Sequence, residues 1–172
     1  MMSKVYLRDV SLNDAFAIHR YAKLPEVSRF QRWEPNDYDD TVNHIKSLLE
    51  KDSSLIHQVI VSKDIEEVIG AVELYIEEKK QIGELGYVVH PDYWNKGVAT
   101  KVVKSLLDYG FIYLHLKKII GTADTRNGSS RKVMEKLGMK EEKVLKNDIL
   151  LSDGYRDTVV YSISIEEYNK LK

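Results

Sequence analysis

From Val88 to Thr100 the chain reads Val-Val-His-Pro-Asp-Tyr-Trp-Asn-Lys-Gly-Val-Ala-Thr: an apolar β-branched run stops at a proline, turns at one glycine and opens into a helix. Val98, Val102, Val103, Leu106, Leu107 and Phe111 then recur at helical spacing, so one helix face must lie on a sheet. A helix that starts directly after a buried strand presents its first N–H groups unpaired, at the positive end of its dipole. Such an end holds an anion, and Lys96 adds a charge beside it. The segment suggests a pyrophosphate-bearing cofactor, although a plain strand-to-helix turn has the same outline. Two known phosphate loops fail on spacing. Gly97 has no partner for a Gly-x-x-x-x-Gly-Lys-Ser/Thr loop, and the single glycine does not make Gly-x-Gly-x-x-Gly.

The remaining elements follow from periodicity and breakers. Val5-Tyr6-Leu7 reads as a strand, and Ser11 with Asp14 signals a helix over 15–21. Residues 24–38 read as irregular or short-helical, and 40–51 as a helix burying Val42, Ile45, Leu48 and Leu49. Strands are expected over 56–61, 67–76, 83–89 and 117–122, then a helix over 129–137 ending at Gly138. Strands over 144–151 and 158–163 flank the turn Ser152-Asp153-Gly154, and a short helix follows. Strands and helices do not alternate regularly, so the class is α+β: a mixed, mostly antiparallel central sheet of about six or seven strands with helices on both faces.

The 172 residues are expected to form one domain, 1–172. A net charge of -1 argues against nucleic acid or an anionic membrane as a partner. With no cysteine there is no disulfide, thiolate metal site or thiol nucleophile, and the five histidines lack ligand spacing, so no metal is expected. No apolar run approaches a membrane span and no export signal is visible, so a cytoplasmic setting is expected.

Two further segments complete the pattern. Thr125-Arg126-Asn127-Gly128-Ser129-Ser130 follows a strand and begins a helix ending Met134-Glu135-Lys136-Leu137-Gly138-Met139. Asp153-Gly154-Tyr155-Arg156-Asp157-Thr158 leads into the last strand. With the Tyr-Trp-x-Lys-Gly-x-Ala-Thr loop, and in this order over almost the whole chain, they resemble the GNAT superfamily of acetyl-CoA-dependent N-acetyltransferases. Within it they are similar to the RimJ/RimL-like type that modifies ribosomal-protein N-termini. Trp94 stands where that type has it; Lys101 replaces a glutamate common there.

The resemblance implies acetyl transfer from acetyl-CoA to a primary amine, of a protein N-terminus or a small molecule, by direct attack on the thioester. Amides of Asn95, Lys96, Gly97, Val98, Ala99 and Thr100 would hold the pyrophosphate, while Val88, Val89 and Asn127 would line the pantetheine arm. Ser130 would protonate the leaving thiolate, because Met134 occupies the position of the tyrosine that other members use. Glu84 is the expected base, with Glu73 on the neighbouring strand as its rival or a substrate anchor. A carboxyl in a closed cleft has a raised pKa suited to the role. Trp33 and Tyr155 are expected at the acceptor, with Phe30, Tyr38, Arg156 and Asp157 nearby. His90 is expected in a structural His-Pro turn. Homodimers are common in the family. The competing reading is a non-catalytic acyl-CoA sensor or interaction module.

Overall fold

The structure, a computed structural model, describes residues 3–172. Its strands are β1 (Val5–Asp9), β2 (Leu55–Ser62), β3 (Glu67–Glu77), β4 (Ile82–Val89), β5 (Lys118–Asp124), β6 (Lys140–Leu151) and β7 (Gly154–Ser164). Its helices are α1 (Ala15–Ala22), α2 (Pro25–Ser28), α3 (Tyr38–Leu49), α4 (Val98–Asp108), α5 (Gly128–Lys136) and α6 (Ile165–Lys170). The strands form one seven-stranded sheet in the order β1-β2-β3-β4-β5-β7-β6. Every neighbouring pair is antiparallel except β4 with β5, which α4 connects as a crossover. The expected α+β class and strand number are met.

The sheet separates two cores. On one face the apolar stripe of α4 (Val98, Val102, Val103, Leu106, Leu107) packs with Met134 of α5 and Tyr168 of α6 against Leu74, Leu85, Val89 and Ile119. On the other, Ile18 and Tyr21 of α1 and Ile45 of α3 cover Val59, Val61 and Val68. Side chains alternate along β4, so Leu85, Tyr87 and Val89 join the α4 side while Val88 joins the α1 side.

The feature that positions the site lies in the middle of the sheet. β3 follows β4 along its whole length, from Gly70 opposite Val89 to Glu77 opposite Ile82. β5 follows β4 only from Ile82 to Leu85, where Gly121 is the last partner, yet stays with β7 as far as Asp124. Beyond Leu85 the two strands part, each held by its other neighbour. Residues 86–89 and 122–124 therefore face an opening in the sheet with backbone groups that no strand pairs.

Some boundaries differ from expectation for local reasons. α3 begins at Tyr38 because Asp37 accepts from the Asp40 amide and Asp40 returns the bond, a reciprocal capping box. The final hairpin is longer than expected because pairing continues to Leu151–Gly154, with only Ser152 and Asp153 between the strands. After α4 the chain continues through one wider helical turn, Tyr109–Tyr113.

Candidate active site

The turn after β4 is fastened before it reaches α4. The Trp94 indole N–H donates to the Val89 carbonyl at 2.7 Å, and the His90 amide donates to Ile69 O at 2.7 Å. His90 Nδ1 accepts from the Asp92 amide at 3.1 Å, so this histidine closes a turn. Asn95 (φ 59) and Gly97 (φ 76) adopt left-handed backbone, which glycine takes without strain. No side chain caps α4, and the Lys101 amide, 3.1 Å from Gly97 O, makes a helical bond one turn in. The N–H groups of Val98, Ala99 and Thr100 precede that bond and are the donors an anion would take. Val98 sends its side chain into the core and so contributes only its amide. The Lys96 ammonium lies 5.3 Å over the Tyr93 ring. These groups fit a diphosphate.

A cavity of about 570 Å³ is lined by side chains from both faces of the sheet. On the α4 side it meets Tyr87, Asn127, Ser130 and Met134; on the α1 side it meets Glu73, Tyr75, Glu84, His57 and Trp33. It passes the sheet where β4 and β5 part, which is how one molecule could touch both sets of groups. Asn127 caps α5, its Oδ1 accepting from the Ser130 amide at 3.1 Å. The Tyr87 and Ser130 hydroxyls are 2.9 Å apart and bridge β4 to α5 beside the opening.

The other end of the cavity is acidic. Glu73 pairs in register with Gly86 across β3–β4, and a methyl on Gly86 would lie 3.0 Å from Glu73 Oε1. The missing Cβ lets the carboxyl lean over the first unpaired residue of β4. Glu84 is opposite Tyr75, two residues along the same face. Burial raises the Glu73 pKa, and the charge of Glu84 raises it further. Neither carboxylate forms a salt bridge among the described residues. His57, opposite Glu73 on β2, supplies no charge: burial, then the neighbouring His44, pushes its pKa down to about 4. Its buried Nδ1 has no hydrogen-bond partner.

The guanidiniums near the cavity are already engaged. Arg156 pairs with Asp153 at 3.0 Å and donates to Gln31 O at 3.0 Å. Asp124 is buried, which opposes its charge, but two Arg126 contacts at 2.8 and 2.9 Å and the Arg126 amide outweigh burial and hold its pKa low. Arg32, also in the lining, donates to Thr122 Oγ1 at 3.2 Å and lies 3.9 Å from Asp148, so among the described residues the two glutamates are the cavity charges without an ion-pair partner.

Of the residues singled out in the sequence, Glu73, Glu84, Val88, Asn127, Ser130, Trp33, Phe30, Arg156 and Asp157 line this cavity. The loop 95–100 lies at the N-terminus of α4, and Val89 is buried beside it. Two placements differ. Tyr155 is 64% exposed at the hairpin end, outside the cavity, because its strand alternation turns Arg156 inward instead. Tyr38 packs edge-on against His19, away from the cavity lining. Sequence reasoning missed Tyr87, His57 and the permissive role of Gly86. Tyr87 could have been found from its parity with Leu85 and Val89, since a tyrosine turned inward needs a partner for its hydroxyl.

A divergent strand pair, a helix start with free amides and a cavity that passes the sheet where the strands part suit an acyl-CoA-using transferase. Residues 4–140 match the acetyltransferase (GNAT) domain family, and the chain belongs to it; it is an acetyl-CoA-dependent acetyltransferase acting on an amine. It is 34% identical to the uncharacterized N-acetyltransferase YnaD of Bacillus subtilis (strain 168) over 64% of this chain and 65% of that one. It is 28% identical to spermidine N(1)-acetyltransferase of Escherichia coli (strain K12), covering 95% of this chain and 88% of that protein. The crystal structure of a GNAT-family acetyltransferase from Bacillus anthracis superimposes with a TM-score of 0.85 at 26% identity, covering 96% and 99% of the two chains. Among the described residues no helix is long and apolar enough to cross a membrane.

Proposed function

We propose that the chain acetylates a small cationic primary amine, which approaches from the α1–α3 side of the sheet. The observation that carries this is the pair Glu73 and Glu84, unpaired by any cation and set beside the sheet opening. A half-buried carboxylate pair is costly without a counter-charge, and an ammonium supplies one. The E. coli relative named for spermidine agrees in the charge of its acceptor. The RimJ/RimL-like loop is the feature that favours a protein N-terminus, but it lies at the anion end and touches no acceptor-side group.

Acetyl-CoA supplies the activated acetyl thioester. In this reading the amides of Val98, Ala99 and Thr100, with Lys96 beside them, hold its diphosphate, while Val88, Val89 and Asn127 flank the arm. Glu73, with its raised pKa, takes the proton that the ammonium must lose before nitrogen can attack. Glu84, favoured as the base on sequence alone, keeps Glu73 basic through its charge and helps draw the cation in. Ser130 donates to the leaving sulfur. Trp33 and Phe30 wall the acceptor end.

The test is thiol release from acetyl-CoA against polyamines, diamines, amino sugars and peptides with free α-amines. Turnover is expected with cationic small amines above all. Preference for peptide α-amines would replace the acceptor proposed here, and turnover with none of them would leave the sensor reading.

A further inference from the structure

Tyr87 touches neither the proposed base nor the helix start, yet its hydroxyl is 2.9 Å from that of Ser130. We propose that Tyr87 is a positioning residue for acetyl transfer, acting on the thiol-leaving step through Ser130; this rests on Ser130 being the donor to sulfur.

The direction of the bond decides its use. A phenol is a better donor and poorer acceptor than an aliphatic hydroxyl, and burial raises the Tyr87 pKa, so the phenol stays protonated. Tyr87 therefore donates to Ser130 Oγ. The Ser130 proton is then free to point elsewhere. Its backbone is fixed as well, because the Ser130 amide donates to the Asn127 cap. Both partners belong to the opening: Tyr87 is on the stretch of β4 that β5 has left, and Ser130 is on the first turn of α5. Tyr87 and Glu73 also act on opposite faces, since Tyr87 follows Gly86 and alternates to the α4 side.

The amine, its ammonium proton already passed through Glu73 to water, forms a bond to the acetyl carbon and gives its second proton to Glu73. The carbon–sulfur bond breaks with its electron pair on sulfur, and the Ser130 proton goes to that sulfur. The Ser130 oxygen, carrying growing negative charge, is steadied by the Tyr87 hydrogen bond and regains a proton from water. Glu73 returns its own to water. Tyr87 and Ser130 are both neutral again at the end of the cycle.

The experiment compares Tyr87→Phe, Ser130→Ala and the double variant by steady-state kinetics with acetyl-CoA and an accepted amine. Tyr87→Phe should lower kcat about 10-fold, with KM for acetyl-CoA within about 2-fold of wild type. Ser130→Ala should lose at least as much, and the double variant should match Ser130→Ala, because Tyr87 has no route except through Ser130. Additive losses, or a Tyr87→Phe loss confined to KM, would overturn the proposal. If Ser130→Ala alone keeps wild-type kcat, the underlying assignment of Ser130 fails instead. Site-specific 3,5-difluorotyrosine at position 87 guards against a folding artefact. Its more acidic phenol ionises sooner and stops donating, so kcat should gain an alkaline decline that disappears in the Ser130→Ala background; an unchanged pH profile would also sink the idea.

Discussion

At the scale of single residues, the site depends on a carboxylate kept in an unfavourable place. Glu73 is half-buried beside a second negative charge, and both influences raise its pKa. A carboxyl whose folded pKa exceeds its unfolded value favours the folded state at low pH, and that stability is lost as pH rises through the folded pKa. Glu73→Gln removes the charge and should therefore raise Tm at pH 7 while lowering kcat about 100-fold or more. The opposite signs separate a base from a structural residue, and a melting curve beside a rate assay reads both. Glu84→Gln makes the complementary case. Without the neighbouring charge the Glu73 pKa falls, so the acid limb of the rate profile should move to lower pH; a limb that stays in place would show that Glu73 is not the group titrating. Legibility at this scale was partial. Both glutamates could be read from the strand sequence, but not which would be raised, because that depends on Gly86 lying opposite Glu73 across β3 and β4.

At the scale of elements, the start of α4 is a local construction. Trp94 ties the turn to Val89, Gly97 takes a left-handed conformation, and no side chain competes for the first helical amides. All of this is encoded within a dozen residues, which is why the turn and the helix start were readable from the sequence. Gly97→Glu tests it sharply. The side chain is strained at a φ of 76, by about 1–2 kcal/mol. A carboxylate at a helix N-terminus otherwise favours the helix, so α4 should survive. Acetyl-CoA affinity should nevertheless fall at least about 10-fold, since a negative charge now stands where a diphosphate must sit; titration calorimetry measures it, and unchanged affinity would remove the diphosphate from this loop. The parting of β4 and β5 is the opposite case. It arises because β4 keeps β3 and β5 keeps β7, a matter of which strands become neighbours, and no local pattern in either strand announces it. The Tyr87–Ser130 contact was hidden for the same reason.

At the scale of the whole molecule, the opening leaves the sheet unfinished along its central seam. Residues 86–88 and 122–124 expose backbone groups to the cavity instead of to each other. An extended amide-bearing arm laid in that seam can take the place of the missing strand contacts, and in the proposed placement its diphosphate would engage α4. Binding should then stabilise the fold by mass action, because the seam and the helix start exist together only in the folded chain. At a ligand concentration 100 times Kd the gain is about 2.7 kcal/mol, which for a chain of 172 residues corresponds to a Tm increase of about 5–10 °C. The two contacts can be separated. S-acetylpantetheine has the arm without the diphosphate, so its shift, smaller at equal concentration, should be the same in wild type and Gly97→Glu. The shift from acetyl-CoA should shrink in that variant toward the pantetheine value. An equal loss for both ligands would mean that the seam and the helix start do not act as separate holds, and that the variant had instead disturbed the opening between β4 and β5.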